Sequence, residues 1–501
     1  MSRQDQISKV TSEIFDVVII GGGITGAGIF DVATKQGYKC VLLEKGDFAG
    51  GTSSKSAKLI HGGLRYLQYA QFRMVREALK ERRNLLDQYP DLVKPLPFIF
   101  PLYKQRLKYI IGMYLYQWLA LGYEMPDFKY IPPKKFKELF PCINDTNLKG
   151  CLVYYDAVTN DAQLCNEVIH RAVEATGNIA INYFEVVSGK ERDGLYEISC
   201  KDNITNNHLT IQSKYIINAS GVWTDQTLQK IAGRNDITSS PSKGIHIVIS
   251  NDKFPLDKAV LFPSFKNDGR TIYAVPWENN SVIIGTTDTE SEEIDHPIIN
   301  WKDIEYILYA MNQFVTDLEF SKKDILSTFV GIRPLLKEDK SSKERTREYK
   351  IWWTGDRIIN ILGGKLTSFQ SMAEHLMTAF SKTVGDKTAI NKVQEYSYIE
   401  TKEDIIKSIE RENFSYAEKI DKKIEVSESE IIYYIRHRSC YFPDDLLLRR
   451  LSLKYVLNRY SNKKDIIIKI LRIMQHEKQW SDAFTQNQIE KFFSETEYFL
   501  P

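Results

Sequence analysis

One short stretch constrains this chain more than any other: the apolar run Phe15–Ile20 (FDVVII), followed by Gly21, Gly23 and Gly26. A continuous β-branched run bounded by glycines predicts a buried parallel strand. After it, Ile24 to Gly37 reads as a helix whose small residues permit close packing, and Lys39–Leu43 reads as a second strand ending at Glu44. Together these make a βαβ unit. G-x-G-x-x-G between strand and helix is the pattern of a dinucleotide site. The first glycine allows the tight turn, the second lets backbone N–H groups approach a pyrophosphate, and the third permits helix–strand contact. The helix N-terminus adds partial positive charge, and Glu44 stands where an acid accepts ribose hydroxyls.

That fingerprint serves NAD and FAD alike. Two later strand–glycine elements, YIINASGVWTD (215–225) and INILGGKLTSF (359–369), favour FAD. A flavoprotein brings such a late strand and turn back beside the first βαβ unit. They add Gly221, Gly363, Gly364 and Thr367 to the expected cofactor set. Backbone N–H groups where the 363–367 turn opens a helix suit negative charge at the reduced flavin's N1–C2 region.

Bulk properties exclude several classes. A chain of 501 residues needs more than one domain. A net charge of +2 draws no nucleic acid, and the tyrosines and phenylalanines form no repeating stacking platform. The six cysteines show no C-x-x-C pair and no histidine at zinc spacing, so no metal site and a reducing compartment are expected. The N-terminal segment MSRQDQISKVTSEIF lacks a signal-peptide run, and the apolar stretch Tyr109–Tyr123 is too short to span a bilayer. A cytoplasmic protein is expected.

Further along, Gln71–Gln88 predicts an exposed amphipathic helix, and Pro90–Pro101 a proline-broken connector. Tyr103–Tyr123 reads as a helix in which Lys104, Arg106 and Lys108 lead into aromatics. It suits either a membrane surface or a buried position under a substrate domain. Strand signals recur over Tyr183–Ile217 and 243–290. Beyond about residue 390, glycine disappears and helical periodicity prevails over Glu428–His437, Leu446–Leu457, Lys464–His476 and Gln486–Phe493. The expected fold is α/β: a Rossmann-type FAD-binding domain interleaved with a mixed-sheet substrate domain, plus a C-terminal α-helical domain. The first two share residues 1–385, with cap segments at about 90–155 and 240–345, and the helical domain takes 390–501.

Several motifs are more specific than the glycine fingerprint. SAKLIHGGLRYL (56–67) after GTSS, YDAVTNDAQL (155–164), NASGVWTD (218–225) and KGIHIVI (243–249) are four. YAVPW with IIGTTDTE (273–290), GIRPLL (331–336) and LGGKLTSFQSMAEH (362–375) continue the series. The chain from about 15 to 385 thereby resembles the FAD-dependent glycerol-3-phosphate dehydrogenases. Gly51, Ala57 and Arg438 stand where that family usually has Ala, Ser and Glu. The resemblance implies oxidation of sn-glycerol 3-phosphate to dihydroxyacetone phosphate, with hydride passing from C2 to flavin N5. Electrons would leave to a quinone, at the periphery of the cytoplasmic membrane. A homodimer is expected. The alternatives are an oxidase of the same family that uses O₂ and makes peroxide, and a binding protein whose flavin is structural.

Oxidising a secondary alcohol needs a base for the hydroxyl proton, and a remote phosphate supplies binding energy to hold the reacting carbon. Arg65, Arg333 and Lys365 lie in glycine-bounded, otherwise apolar motifs, unlike solvated surface cations. The resemblance implies that they recognise the phosphate, with Tyr66 lining the same pocket. Histidine titrates near neutrality, so His61 is the candidate base and His246 its rival. Arg333 can also lower the energy of an alkoxide. Thr52, Ser53 and Ser54 suit the pyrophosphate and flavin side of the site, as in relatives.

Overall fold

The computed structural model describes residues 1–234, 238–337, 349–385, 396 and 400–496; the side chains of Arg65, Gln68, Tyr69, Glu495 and Thr496 lie outside that set. Strand Ile14–Ile20 sits in the middle of an eight-stranded sheet, parallel to Cys40–Leu43 on one side and His208–Asn218 on the other. Ile179–Ile181 extends one edge in parallel, and Ile358–Gly363 the other. Tyr349–Thr354 then pairs antiparallel outside Ile358–Gly363. The late strand therefore does return beside the first βαβ unit. Helices Ile24–Lys35, Asp161–Thr176 and Phe369–Val384 cover one face, burying residues such as Phe30, Val168 and Leu376. Burial on both faces explains why these strands read as unbroken apolar runs.

A second sheet has ten strands, from Leu59–Ile60 through Ile325–Arg333. Its backbone is the pairing of Val93–Pro101 with Cys151–Thr159 and of Ser242–Ser250 with Ile325–Arg333. The expected connector over Pro90–Pro101 is thus a strand. Pro95, Pro97 and Pro101 share one parity, so their missing N–H groups all fall on one side of it. The neighbouring strand Ala259–Pro263 pairs with it only at Phe98 and Ile99, while the ladder to Cys151–Thr159 runs its full length.

Phe72–Gln88 is helical as expected, although its inward side carries buried Glu81 and Arg82. The expected helix at Tyr103–Tyr123 is Arg106–Leu119. Met113, Tyr116 and Leu119 face inward, whereas Leu107, Ile111, Tyr114 and Trp118 are each more than half exposed. No helix among the described residues is long and apolar enough to cross a membrane.

Near the C-terminus, helices Lys402–Glu412, Glu428–His437, Lys463–Lys478 and Asp482–Thr496 surround a core that also includes Val248, Ile283 and Phe329 of the second sheet. Two features differ from expectation. Lys419–Asp421 and Ile424–Ser427 form a short hairpin. The expected helix Leu446–Leu457 is a π-helical turn, Asp445–Arg450, followed by two short 3₁₀ turns. Its charged residues Asp445, Arg449 and Arg450 turn inward, and Ser452 adopts positive φ, so regular α-helical periodicity ends there.

Candidate active site

The glycine turn is built to leave a cradle. Gly21 has φ +113°, and a Cβ there would lie 2.6 Å from the Ala219 carbonyl oxygen. A Cβ at Gly26 would fall on the Gly21 carbonyl, so the helix can pack against the turn only without one. Helix Ile24–Lys35 starts at Gly23 with no acid in its first turn, and Ile24 N–H donates to Ser53 Oγ at 2.9 Å. These N–H groups open onto a cleft that continues past Glu44 to the Gly363–Leu366 turn. The cradle fits a dinucleotide.

Glu44 lines the cleft, with Oε2 accepting from Gly22 N at 2.7 Å and Oε1 from Gly46 N at 2.8 Å. Burial pushes its carboxyl above the usual range, while those two N–H groups draw it back. Gly21, Gly23, Thr52, Ser53, Gly221, Gly363 and Gly364 line the same cleft. Gly26, Ser54 and Thr367, expected in the same set, are not among its lining residues. Thr52 Oγ1 donates to Ile332 O at 2.6 Å, fastening the loop to the second sheet. Trp223 also lines the cleft; its ring lies under Lys45 Nζ at 4.0 Å, and its Nε1 donates to Asp295 at 2.7 Å. Sequence reasoning passed over it, although it stands in the same motif as Gly221.

At the far end, two loops meet. His61 N donates to Thr367 Oγ1 at 3.2 Å, joining the HGG loop to the turn that opens helix Phe369–Val384. Lys365 Nζ lies 3.7 Å above the Tyr66 ring and contacts Met74 Sδ at 3.3 Å. His61, Tyr66, Lys365 and Thr367 are therefore brought together, and Lys365 lines the cofactor cleft. Arg65 is in the 3₁₀ segment Leu64–Tyr69, and its side chain is outside the described set. His61 Nδ1 accepts from Gly63 N at 3.1 Å. The loop has no room for a side chain at Gly62, where a Cβ would meet Tyr116 and Leu79. Buried Asp156 holds it: one oxygen accepts from Gly62 N at 3.2 Å, Tyr116 OH at 3.0 Å and Arg82 Nη1 at 2.6 Å. An aspartate within the apolar strand LVYYDAVT was the available signal for this anchor, and it was not singled out.

Arg333 ends its strand with a well-occupied guanidinium. It donates to Thr286 Oγ1 at 3.2 Å, Thr287 O at 3.1 Å and Ser242 Oγ at 3.4 Å, and Asp288 lies 3.3 Å away. The next residue, Pro334, lines the cofactor cleft. His246 is buried and stacked on Phe329 at 4.6 Å, with neither ring nitrogen hydrogen-bonded. Burial, helped by the Arg333 and Lys58 cations, pushes its imidazole down to about 3.

Comparison with known proteins identifies the family. Residues 16–356 match the family described as FAD dependent oxidoreductase. The mitochondrial glycerol-3-phosphate dehydrogenase of Rattus norvegicus is 34% identical over 98% of this chain and 74% of its own length. The aerobic glycerol-3-phosphate dehydrogenase of Staphylococcus aureus is 31% identical over 99% of this chain and 97% of its own. Among solved structures, the glycerol-3-phosphate dehydrogenase of Bacillus halodurans, complexed with FAD, superposes with a TM-score of 0.76. It is 26% identical and covers 100% of this chain and 98% of that one. The chain accordingly belongs to the FAD-dependent oxidoreductases, within the glycerol-3-phosphate dehydrogenase family, and its cofactor is FAD.

Proposed function

We propose that this protein oxidises sn-glycerol 3-phosphate at C2 to dihydroxyacetone phosphate and passes the electrons to a quinone at a membrane surface. The observation that carries the reading is the meeting of the His61 loop with the Lys365 turn at the end of the flavin cleft. Relatives across nearly the whole chain are named for this substrate.

Bound FAD supplies the two-electron acceptor that takes the C2 hydride. The chain's own residues do the rest. Lys365, steadied over Tyr66, is a compact cation for the substrate phosphate. Arg65 is assigned to the same phosphate. Holding that remote group fixes the C2 carbon against the cofactor. His61 accepts the hydroxyl proton at Nδ1, which releases the Gly63 N–H. Loss of one proton and one hydride from the alcohol leaves the ketone. Arg333, held by Thr286, Thr287 and Ser242, offers fixed positive charge to the developing alkoxide. His246 is the poorer base, since its burial disfavours the protonated form. Gly21, Gly23 and the helix N-terminus hold the pyrophosphate, and Glu44 the ribose. Thr52 and Ser53 line the cleft beside it, with Ser54 next in the loop, and the Gly363–Gly364 turn and Gly221 would border the flavin.

The outward side of helix Arg106–Leu119 is assigned to the membrane. Leu107, Ile111, Tyr114 and Trp118 form one exposed apolar stripe, and Lys104, Arg106 and Lys108 are exposed at its start. Seated on a lipid surface, it would bring the enzyme to a lipid-soluble acceptor.

Anaerobic addition of glycerol 3-phosphate to the yellow protein should bleach it, and glycerol should not. The reduced protein should then reoxidise rapidly with a soluble quinone analogue and slowly in air. Rapid reoxidation in air identifies an oxidase instead, and failure to bleach removes the substrate assignment.

A further inference from the structure

Between Leu43 and Thr52 the chain makes no regular element, yet this loop forms one wall of the flavin cleft through Glu44, Lys45 and Gly51. Its internal ties are few, chiefly Gly50 N to Asp47 O at 2.9 Å and Gly46 N to Glu44 Oε1 at 2.8 Å, while Ala49 N donates to Gly22 O at 2.9 Å. Ala49 holds a positive φ of 61°. A loop so shaped needs support from behind.

The 181–184 segment gives part of it, with Tyr183 N donating to Gly46 O and Phe184 N to Glu44 O, both at 2.7 Å; the side-chain support comes mainly from residues some four hundred positions later. Asp47 turns away from the cleft and is buried. Its Oδ2 accepts from Arg450 Nη1 at 2.6 Å and Arg449 Nε at 2.5 Å, and its Oδ1 from Arg450 Nη2 and Asn182 Nδ2, both at 2.9 Å. Arg449 also reaches Asp445 at 2.6 Å, so two arginines and two aspartates balance inside the protein. From the same segment, Tyr455 OH donates to Ser54 O at 3.4 Å, at the other end of the loop. A buried ion cluster of this kind gains little stability over apolar packing, because desolvation offsets the attraction. What it supplies is fixed geometry.

We infer that the C-terminal helical segment is a working part of the flavin site: Arg449 and Arg450 are positioning residues that clamp Asp47 and hold the Glu44–Ser54 loop in its flavin-binding shape. Flavin binding and docking of the segment must then favour each other reciprocally. The inference rests on the flavin site alone and not on the substrate assignment.

The test follows flavin release from diluted holoenzyme by the return of free-flavin fluorescence, with no substrate present. Arg450→Met should release flavin about tenfold faster or more, with excess FAD restoring the bound spectrum. Arg436→Met should release at the wild-type rate, because Arg436 pairs with Glu412 and Glu477 inside the same C-terminal helices, away from the loop. In the unaltered full-length apoprotein, adding FAD should slow amide exchange over 438–455 as well as at the Gly21–Thr25 turn; this arm decides the matter if Arg450→Met does not fold. Wild-type release from folded Arg450→Met overturns the inference. So does FAD protection at Gly21–Thr25 with unchanged exchange over 438–455.

Discussion

The two ends of the cleft hold their ligands by different means. At the nucleotide end the shape is backbone: Gly21 tolerates no side chain against Ala219, Gly26 none against Gly21, and the helix offers N–H groups. At the end proposed for the substrate, side chains from distant segments come together, His61 and Tyr66 meeting Lys365 and Thr367. A backbone cradle tolerates few substitutions and fails as a whole. A side-chain cluster loses function one group at a time, with the cofactor still in place.

The sharpest way to break this contrast is Gly26→Val. The added atoms meet the Gly21 carbonyl, so the purified protein should carry no flavin absorbance; a yellow, active variant contradicts the backbone account. Next in size is His61→Asn, expected to lower kcat about a thousandfold with flavin content unchanged. Steady-state kinetics beside the visible spectrum check both. Lys365→Met should reduce kcat/KM for glycerol 3-phosphate about a hundredfold, or ~3 kcal/mol, again with a full complement of bound flavin. Loss of flavin in either variant would erase the distinction between the two ends.

The smallest effect concerns His246, which belongs to the packing of the second sheet. Its folded form resists protonation while the unfolded form takes a proton below its ordinary value, so its burial costs stability as pH falls. Between pH 6.5 and 5, the wild type should lose about 2 kcal/mol more than His246→Asn. Denaturant titrations at the two pH values measure this. Equal losses would mean that the ring protonates readily in the folded protein.

The same contrast governs what can be read from the sequence. The strand, the glycines, the helix and Glu44 lie within one short window, so local sterics declare them. Pro95 and Pro97 misled because a proline is tolerated wherever its missing N–H falls off the ladder, and that depends on register. Leu446–Leu457 has helical spacing, yet Arg449 and Arg450 are drawn inward by Asp47, a partner invisible to any local pattern. Asp156 carries one local signal, a lone carboxylate in an apolar strand, but what it anchors is set by its donors Gly62, Arg82 and Tyr116, which no local pattern brings together. His61 and Lys365 could be named from motifs, but their meeting is a property of the fold.

The most direct measurement is the anaerobic stopped-flow rate of flavin reduction by glycerol 3-phosphate carrying deuterium at C2. If the cradle and the side-chain cluster form one site, reduction is rapid, slows with the deuterated substrate, and collapses in His61→Asn while the bound flavin spectrum persists. A flavin that this substrate reduces without any isotope effect, or at the same rate in His61→Asn, contradicts the account.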